Sequence, residues 1–277
     1  MNWLIDKIGF GEKNLIKELN KRNIRVFDWD DYLSGKVDIE YTNPLFFKGS
    51  LDNISDEMWN VTRFADSDLF CYTNFALGAS EYILNNDYAF IPAEELLKQV
   101  HTYYRAFSNN DGEIFVRSED GEKGLSGQLI NVGNLEAVLN EAFQNKLSLY
   151  EWLVISSPKD IFMEVRYAVS VEYSADNAYD PKIEILTSSS YLIDGNLALI
   201  QDNSPKLMQD LVVSYVRNLI KVNPYIFCEK NIFIVDACET SYPKNQYKIL
   251  ECNALETSGL YNLNVQPILN KIEKFYG

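Results

Sequence analysis

Two apolar runs near the C-terminus carry acids where a buried strand has no natural place for them. They are Asn231-Ile-Phe-Ile-Val-Asp-Ala-Cys238 and Lys248-Ile-Leu-Glu-Cys-Asn-Ala-Leu-Glu-Thr-Ser-Gly-Leu-Tyr261. Pro243-Lys-Asn between them is turn material, so the pair reads as a hairpin of two short buried strands. Strand side chains alternate, which puts Ile249, Glu251 and Asn253 on one face and Leu250 and Cys252 on the other. In such a hairpin Asp236 can meet Glu251 and Asn253 at one point. A carboxylate in an apolar strand is costly unless its charge is compensated. A hard cation such as Mg²⁺ held by oxygen ligands is one compensation. Pairing with Lys or Arg, or exposure at the strand ends, is the other, and the pattern alone leaves both open.

The chain has 277 residues, room for one large domain or two modest ones. With 47% hydrophobic and 13% aromatic residues it can bury a sizeable core, which argues against long disordered stretches. No segment approaches the roughly 20 apolar residues of a membrane span. Met1-Asn-Trp-Leu-Ile-Asp-Lys7 lacks the parts of a signal peptide, so the expectation is a soluble, cytoplasmic protein. A net charge of −15 argues against nucleic acid or an anionic membrane as partner; an anionic ligand would need a local basic cluster. Cys71, Cys228, Cys238 and Cys252 form no Cys-x-x-Cys pair and read as reduced, packed thiols. His101 is the sole histidine, which speaks against Ser-His-Asp or Cys-His catalysis and against a multi-histidine metal site.

Along the chain, helical spacing over Phe10–Asn20, strand runs at Ile24–Trp29 and Leu45–Gly49, and helix signals at Ser55–Trp59 and Phe75–Leu84 suggest a small α/β unit over residues 1–90. Asn85-Asn-Asp87 and Pro92 mark its boundary with residues 91–277. A helix follows over Ala93–Phe107, with His101 at the border of its apolar stripe. Strands Glu113–Ser118 and Gln128–Val132 flank a loop with Gly121, Gly124 and Gly127, whose backbone N–H groups can fold over phosphates or simply close a hairpin. Arg117 lies in an apolar strand of a very acidic protein, and Lys123 follows in the loop. A helix is expected over Leu135–Phe143 and strands at Trp152–Ser157, Ile161–Val169 and Glu184–Tyr191. Ser204–Val222 and Pro267–Phe275 read as helices. Glu164 and Arg166 share a strand face, as a cross-strand ion pair or as site residues.

The run FIVDAC…KILECNALETSGLY resembles the metal-binding hairpin of the ATP-grasp enzymes, and IFVRSEDGEKGLSG resembles the phosphate-binding hairpin of an arginine-plus-lysine clade of that superfamily. FKGSLDN and LGASEYILNNDYAFIPAEEL resemble the domain that precedes it in a clade common in phage genomes. The resemblance implies an α+β fold: two ATP-grasp subdomains gripping ATP, preceded by a small α/β domain. It implies Mg²⁺ on Asp236, Glu251 and Asn253, and phosphate contacts from Arg117 and Lys123 with Gly124, Ser126 and Gly127. Backbone groups of Val154, Ile155 and Ser156 would read adenine, although the usual acidic pair at that hinge is missing. Arg166 would stand near the transferring phosphoryl group and Glu164 toward nucleotide or substrate, with Ser190 and Tyr191 bordering the cleft. The implied reaction is ATP- and Mg²⁺-dependent ligation of a carboxylate to an amine, on small-molecule or peptide substrates, through an acyl phosphate. A small-molecule kinase and a nucleotide-binding module are the other classes compatible with these parts.

Overall fold

The computed structural model describes residues 1–6, 11–37, 45–49, 70–76, 78–121, 124–145, 147–174, 177–224, 226–227 and 230–277. At the N-terminus β1 (Asn2–Ile5), α1 (Glu12–Lys21), β2 (Arg25–Asp28), α2 (Trp29–Leu33) and β3 (Leu45–Lys48) build a parallel sheet in the order β2-β1-β3. Asp28 ends β2 and caps α2, its carboxylate accepting from the Asp30 amide at 2.9 Å. The expected helix at Ser55–Trp59 lies outside the described residues. The helix signal at Phe75–Leu84 yields only α3 (Tyr72–Ala76), followed by turns.

A second sheet, antiparallel, contains β4 (Ala89–Pro92), then, after α4 (Ala93–Lys98) and α5 (Val100–Phe107), β5 (Glu113–Ser118) and β6 (Gln128–Asn131), and, after α6 (Leu135–Asn145), β7 (Trp152–Ser156). Its order is β4-β7-β5-β6. The single helix expected over Ala93–Phe107 breaks at Gln99, whose φ of −117° and ψ of 21° leave the helical region. His101 is exposed on α5. One face of this sheet (Ile91, Ile114, Val116, Leu153, Ile155) buries against Leu96 of α4 and Leu135 and Leu139 of α6. Residue 90, the expected division, falls inside β4, which pairs residue by residue with β7.

The third sheet is the largest. β8 (Ile161–Ser174), β9 (Asn177–Ile193), β10 (Asn196–Gln201), β11 (Lys230–Thr240) and β12 (Tyr247–Ala254) are antiparallel in the order β10-β9-β8-β11-β12. Its odd-numbered face on β8 and β11 (Val165, Tyr167, Val169, Phe233, Val235) lies under α7 (Lys206–Val222), whose Met208, Val212, Tyr215, Val216 and Leu219 recur at helical spacing. Each such aliphatic side chain contributes about 1.5–3 kcal/mol on burial. Tyr72, Phe75 and Ile83 join this cluster. On the opposite face, Ala168, Ile232, Ile234 and Leu255 are covered by α8 (Val265–Tyr276) and by Trp3, Ile5, Leu15, Leu19 and Phe46 of the N-terminal unit.

Past the edge of α8 that second face turns polar: Glu164 and Arg166 on β8, Asp236 on β11, Glu251 and Asn253 on β12. One correction to the alternation concerns Ile249. Asp236 pairs with Glu251 but Ala237 pairs with Ile249, so Leu250 is an extra residue in the ladder. This bulge turns Ile249 to the α7 side, beside Cys252, and leaves Glu251 on the cleft face.

Candidate active site

Asp236, Glu251 and Asn253 do converge. The Asn253 side-chain amide donates to Glu251 Oε1 at 2.9 Å and to Asp236 Oδ2 at 3.4 Å. Each carboxylate also holds an arginine. Arg166 forms a two-bond pair with Asp236, Nε to Oδ1 at 2.8 Å and Nη2 to Oδ2 at 2.6 Å. Arg117 Nη1 donates to Glu251 Oε2 at 3.0 Å, reaching across from the second sheet to the third. The two compensations left open by the sequence therefore meet in one cluster: the candidate ligands are together, and arginines hold them. Burial works against the Arg166 charge, but the Asp236 carboxylate more than offsets it, so the guanidinium stays protonated.

Arg117 projects from the face of β5 opposite the apolar core, as alternation requires, with its guanidinium over Tyr72 (5.6 Å) and Phe75 (5.8 Å). Its strand leads into the glycine-bearing loop. Ser118 closes that loop by exchanging bonds with Leu125, its amide donating to the Leu125 carbonyl at 2.8 Å. Ser126 and Gly127 are exposed at the rim. A Cβ on Gly127 would stand 2.9 Å from the Phe115 ring, and one on Gly124 would stand 2.9 Å from both Glu151 carboxylate oxygens. Any larger residue at either position would have to push that side chain aside. Glu151, half-buried against the loop, has its carboxyl pushed up to about 7 by burial and by Asp120 beside it. Lys123 lies outside the described residues.

The expected adenine-reading backbone, Val154 to Ser156, lies inside β7. Val154 pairs with both Phe90 and Arg117, and Ile155 with both Ala89 and Val116. Their N–H and C=O groups serve ladders on each side, and Ser156 still pairs with Phe115. The first backbone free of both ladders follows Ser156. There the Ser157 hydroxyl donates to Asp87, and Lys159 donates to Asp87 (2.8 Å) and to the Ser157 carbonyl (2.9 Å).

Glu164 lies on the cleft face of β8, opposite Cys238 and next to Tyr191, whose hydroxyl donates to it. Burial raises the Glu164 carboxyl, and the nearby Asp236 and Glu251 charges add to this against the Tyr191 bond. Tyr191 is brought there by a second bulge: Glu164 pairs with Leu192 and Val165 with Ser190, leaving Tyr191 as the extra residue. Its ring stacks on Tyr261 at 4.9 Å and 4°. The Arg166 guanidinium lies 4.6 Å from the Tyr261 ring centre and 5.4 Å from that of Tyr191. Arg166 Nη1 donates to the Gly259 carbonyl at 2.7 Å. Ser190 is buried and bonds inward, to Asn203, so it does not border the cleft. Tyr72 and Phe75 carry no motif of their own, and Gly259 and Tyr261 close the run that resembles the metal-binding hairpin without a role assigned to them; their neighbours in space reveal all four.

Among the described residues no cluster of three or more His, Cys, Asp or Glu is arranged to hold a metal. The candidate set is two carboxylates and an amide, Asp236 and Asn253 buried and Glu251 part-exposed. These are hard oxygen donors within contact of one another, and they suit Mg²⁺ rather than a thiolate- or imidazole-seeking metal.

No family model and no curated protein sequence matches the chain. Solved structures do. D-alanyl-alanine synthetase A from Vibrio cholerae superposes with a TM-score of 0.58 at 12% identity, over 100% of this chain and 94% of that one. D-cycloserine synthetase DcsG gives a TM-score of 0.64 at 11% identity, over 100% and 99%. The fold is that of the ATP-grasp enzymes. An N5-carboxyaminoimidazole synthetase from Staphylococcus aureus, solved with ADP, shares the ATP-grasp fold at a TM-score of 0.53 and 11% identity, over 94% of this chain and 71% of its own. The second and third sheets meet where Arg117 reaches Glu251. No helix among the described residues is long and apolar enough to cross a membrane.

Proposed function

We propose that this protein is an ATP-dependent carboxylate–amine ligase that works through an acyl phosphate, with the nucleotide between the second and third sheets. The observation that carries this reading is the meeting of Arg117, Arg166, Asp236, Glu251 and Asn253 at one point between the two layers. The neighbours' names, synthetases, one of them with ADP bound, agree with nucleotide-dependent synthesis.

Asp236, Glu251 and Asn253 would hold Mg²⁺, which supplies charge neutralisation at phosphate oxygens. The two arginines exchange a carboxylate partner for phosphate when nucleotide enters. Arg117 then binds the phosphate chain, and Lys123, Gly124, Ser126 and Gly127 are the further residues assigned to it. Arg166 stabilises charge on the phosphoryl group as it passes to the substrate carboxylate. Backbone after Ser156 takes the base. Glu164, with its raised carboxyl and Tyr191 beside it, faces the substrate side, where the attacking amine must shed a proton. No protein nucleophile is required, which suits a chain whose one histidine is on the surface. The acceptors are small-molecule or peptide carboxylates and amines.

The test is interception of the acyl phosphate. With a carboxylate panel, ATP, Mg²⁺ and hydroxylamine, ADP and a hydroxamate should form together, and Arg166→Lys, which keeps the charge but not the paired bonds, should suppress both at least about tenfold. A stable phosphorylated product indifferent to hydroxylamine makes the protein a kinase. No ADP with any carboxylate or amine leaves a nucleotide-binding module.

A further inference from the structure

Arg166 is held on two sides, by Asp236 and by the loop between β12 and α8. That loop offers it the Gly259 carbonyl and the Tyr261 ring. The loop is turns and irregular backbone from Leu255 to Asn264, and part of its hold comes from the N-terminal sheet. Lys48, the last residue of β3, is 4% exposed. Its ammonium donates to the Ser258 carbonyl at 2.6 Å and the Glu256 carbonyl at 3.1 Å, and Glu12 of α1 stands 3.7 Å away. The Gly49 amide donates to the same Glu256 carbonyl at 3.0 Å. Three loop carbonyls are thus divided between two cations: Lys48 takes those of residues 256 and 258, Arg166 that of 259. A buried ammonium is expensive to keep, and here its protons go to the loop that shapes the cleft.

We propose that Lys48 is a positioning residue for the phosphoryl-transfer site: by fixing the 256–258 backbone it places Gly259 and Tyr261, and through them the Arg166 guanidinium. This rests on the role given to Arg166 above. Among the described residues the charged groups around the ammonium are Glu12 from α1, Glu256 from the loop and Arg166 from β8, with Asp6 beside Gly49 at the end of β1. Burial outweighs Glu12 and Glu256, and lowers the Lys48 ammonium to about 8. A neutral amine has two N–H groups for three acceptors, so the hold on the loop weakens on the alkaline side.

The experiment follows the Arg166 Nε–H signal by NMR in the full chain, assigned by its disappearance in Arg166→Lys. In the parent this signal should move with pH about a midpoint near 8, the value to which burial lowers Lys48. In Lys48→Arg, which stays charged, it should keep its low-pH position up to about pH 9.5. In Lys48→Met it should show no titration. In parallel, ADP release from Mg-ATP by Lys48→Met should fall in kcat by about 10- to 100-fold with little change in KM for ATP, and Lys48→Arg should recover most of it. Should Lys48→Met fail to fold, Tyr261→Leu tests the same hold from the other end: it leaves Lys48 and the Gly259 carbonyl in place but removes the ring, and the Arg166 shift near pH 8 should shrink, a shift of parental size overturning the proposal. An Arg166 signal that titrates alike in parent and Lys48→Met overturns the proposal, as does a kcat that ignores the loss of Lys48. A parent whose Arg166 titrates near 8 but which binds no Mg-ATP overturns the ligase reading, and the contact then has no site to serve.

Discussion

Asp236 shows how much a single charge in this cleft depends on its partner. Its side chain is 1% exposed, and its two oxygens are taken by Arg166, itself 8% exposed. Removing one member of a buried pair leaves the other uncompensated, at a cost of about 3–5 kcal/mol. Arg166→Ala should therefore destabilise the protein by about that amount, read as a lower urea midpoint at unchanged slope. Arg117→Ala should cost less, because Glu251, left behind, is 21% exposed and can be hydrated. Equal losses would mean that the Asp236 pair is not the buried anchor its geometry makes it. For the same reason a fall in activity with Arg166→Ala is not by itself a statement about chemistry.

At the scale of elements, two bulges and one glycine shape the cleft. The bulge at Leu250 keeps Ile249 in the core while Glu251 faces out, and the bulge at Tyr191 brings a ring onto the strand face where Ser189 stands opposite Arg166. Gly11 precedes α1 with φ +102°, and a Cβ there would lie 2.7 Å from the Tyr261 carbonyl oxygen. Both the backbone conformation and the contact demand glycine. Gly11→Ala should destabilise by about 1–3 kcal/mol and loosen the loop that bears Tyr261. An alanine variant with parental thermal stability would show that α1 can slide away from the loop at no cost.

Taken whole, the molecule has cores that cross the boundaries suggested by its parts. Leu4, Phe27, Trp29, Leu45 and Phe47 give the N-terminal sheet a small core of its own, but its other face, with Trp3, Ile5 and Phe46, is covered by α8 from the opposite end of the chain. Phe70, Tyr72, Phe75, Ala76, Ala79 and Ile83 belong to the α7 cluster, and β4 belongs to the second sheet. A fragment of residues 1–90 would expose that apolar face and lack its cover. It should show no cooperative thermal transition by circular dichroism, whereas the full chain should. A sigmoidal transition in the fragment would mean that the small core suffices.

What the sequence determined by itself was local or periodic. Apolar runs with interrupting acids placed β11 and β12; helical spacing placed α7; the order of Arg117, Glu164, Arg166, Asp236, Glu251 and Asn253 was enough for the ATP-grasp resemblance and its fold. Three short strands, β1, β4 and β10, went unmarked, and each is held by pairing to another strand of the chain rather than by a pattern of its own. The partners of the charges were not legible either. Which arginine meets which carboxylate depends on how two sheets face each other, and no pattern in one strand records that. The same holds for Lys48, which reads as an ordinary strand end until the loop 208 to 210 residues away closes over its ammonium. The bulge at Leu250 overrode a correct period-two rule, because Ile249 gains more by burial under α7 than the ladder loses by one unpaired residue. Periodicity reports the face a residue belongs to; only the packing of one face on another decides what that residue touches.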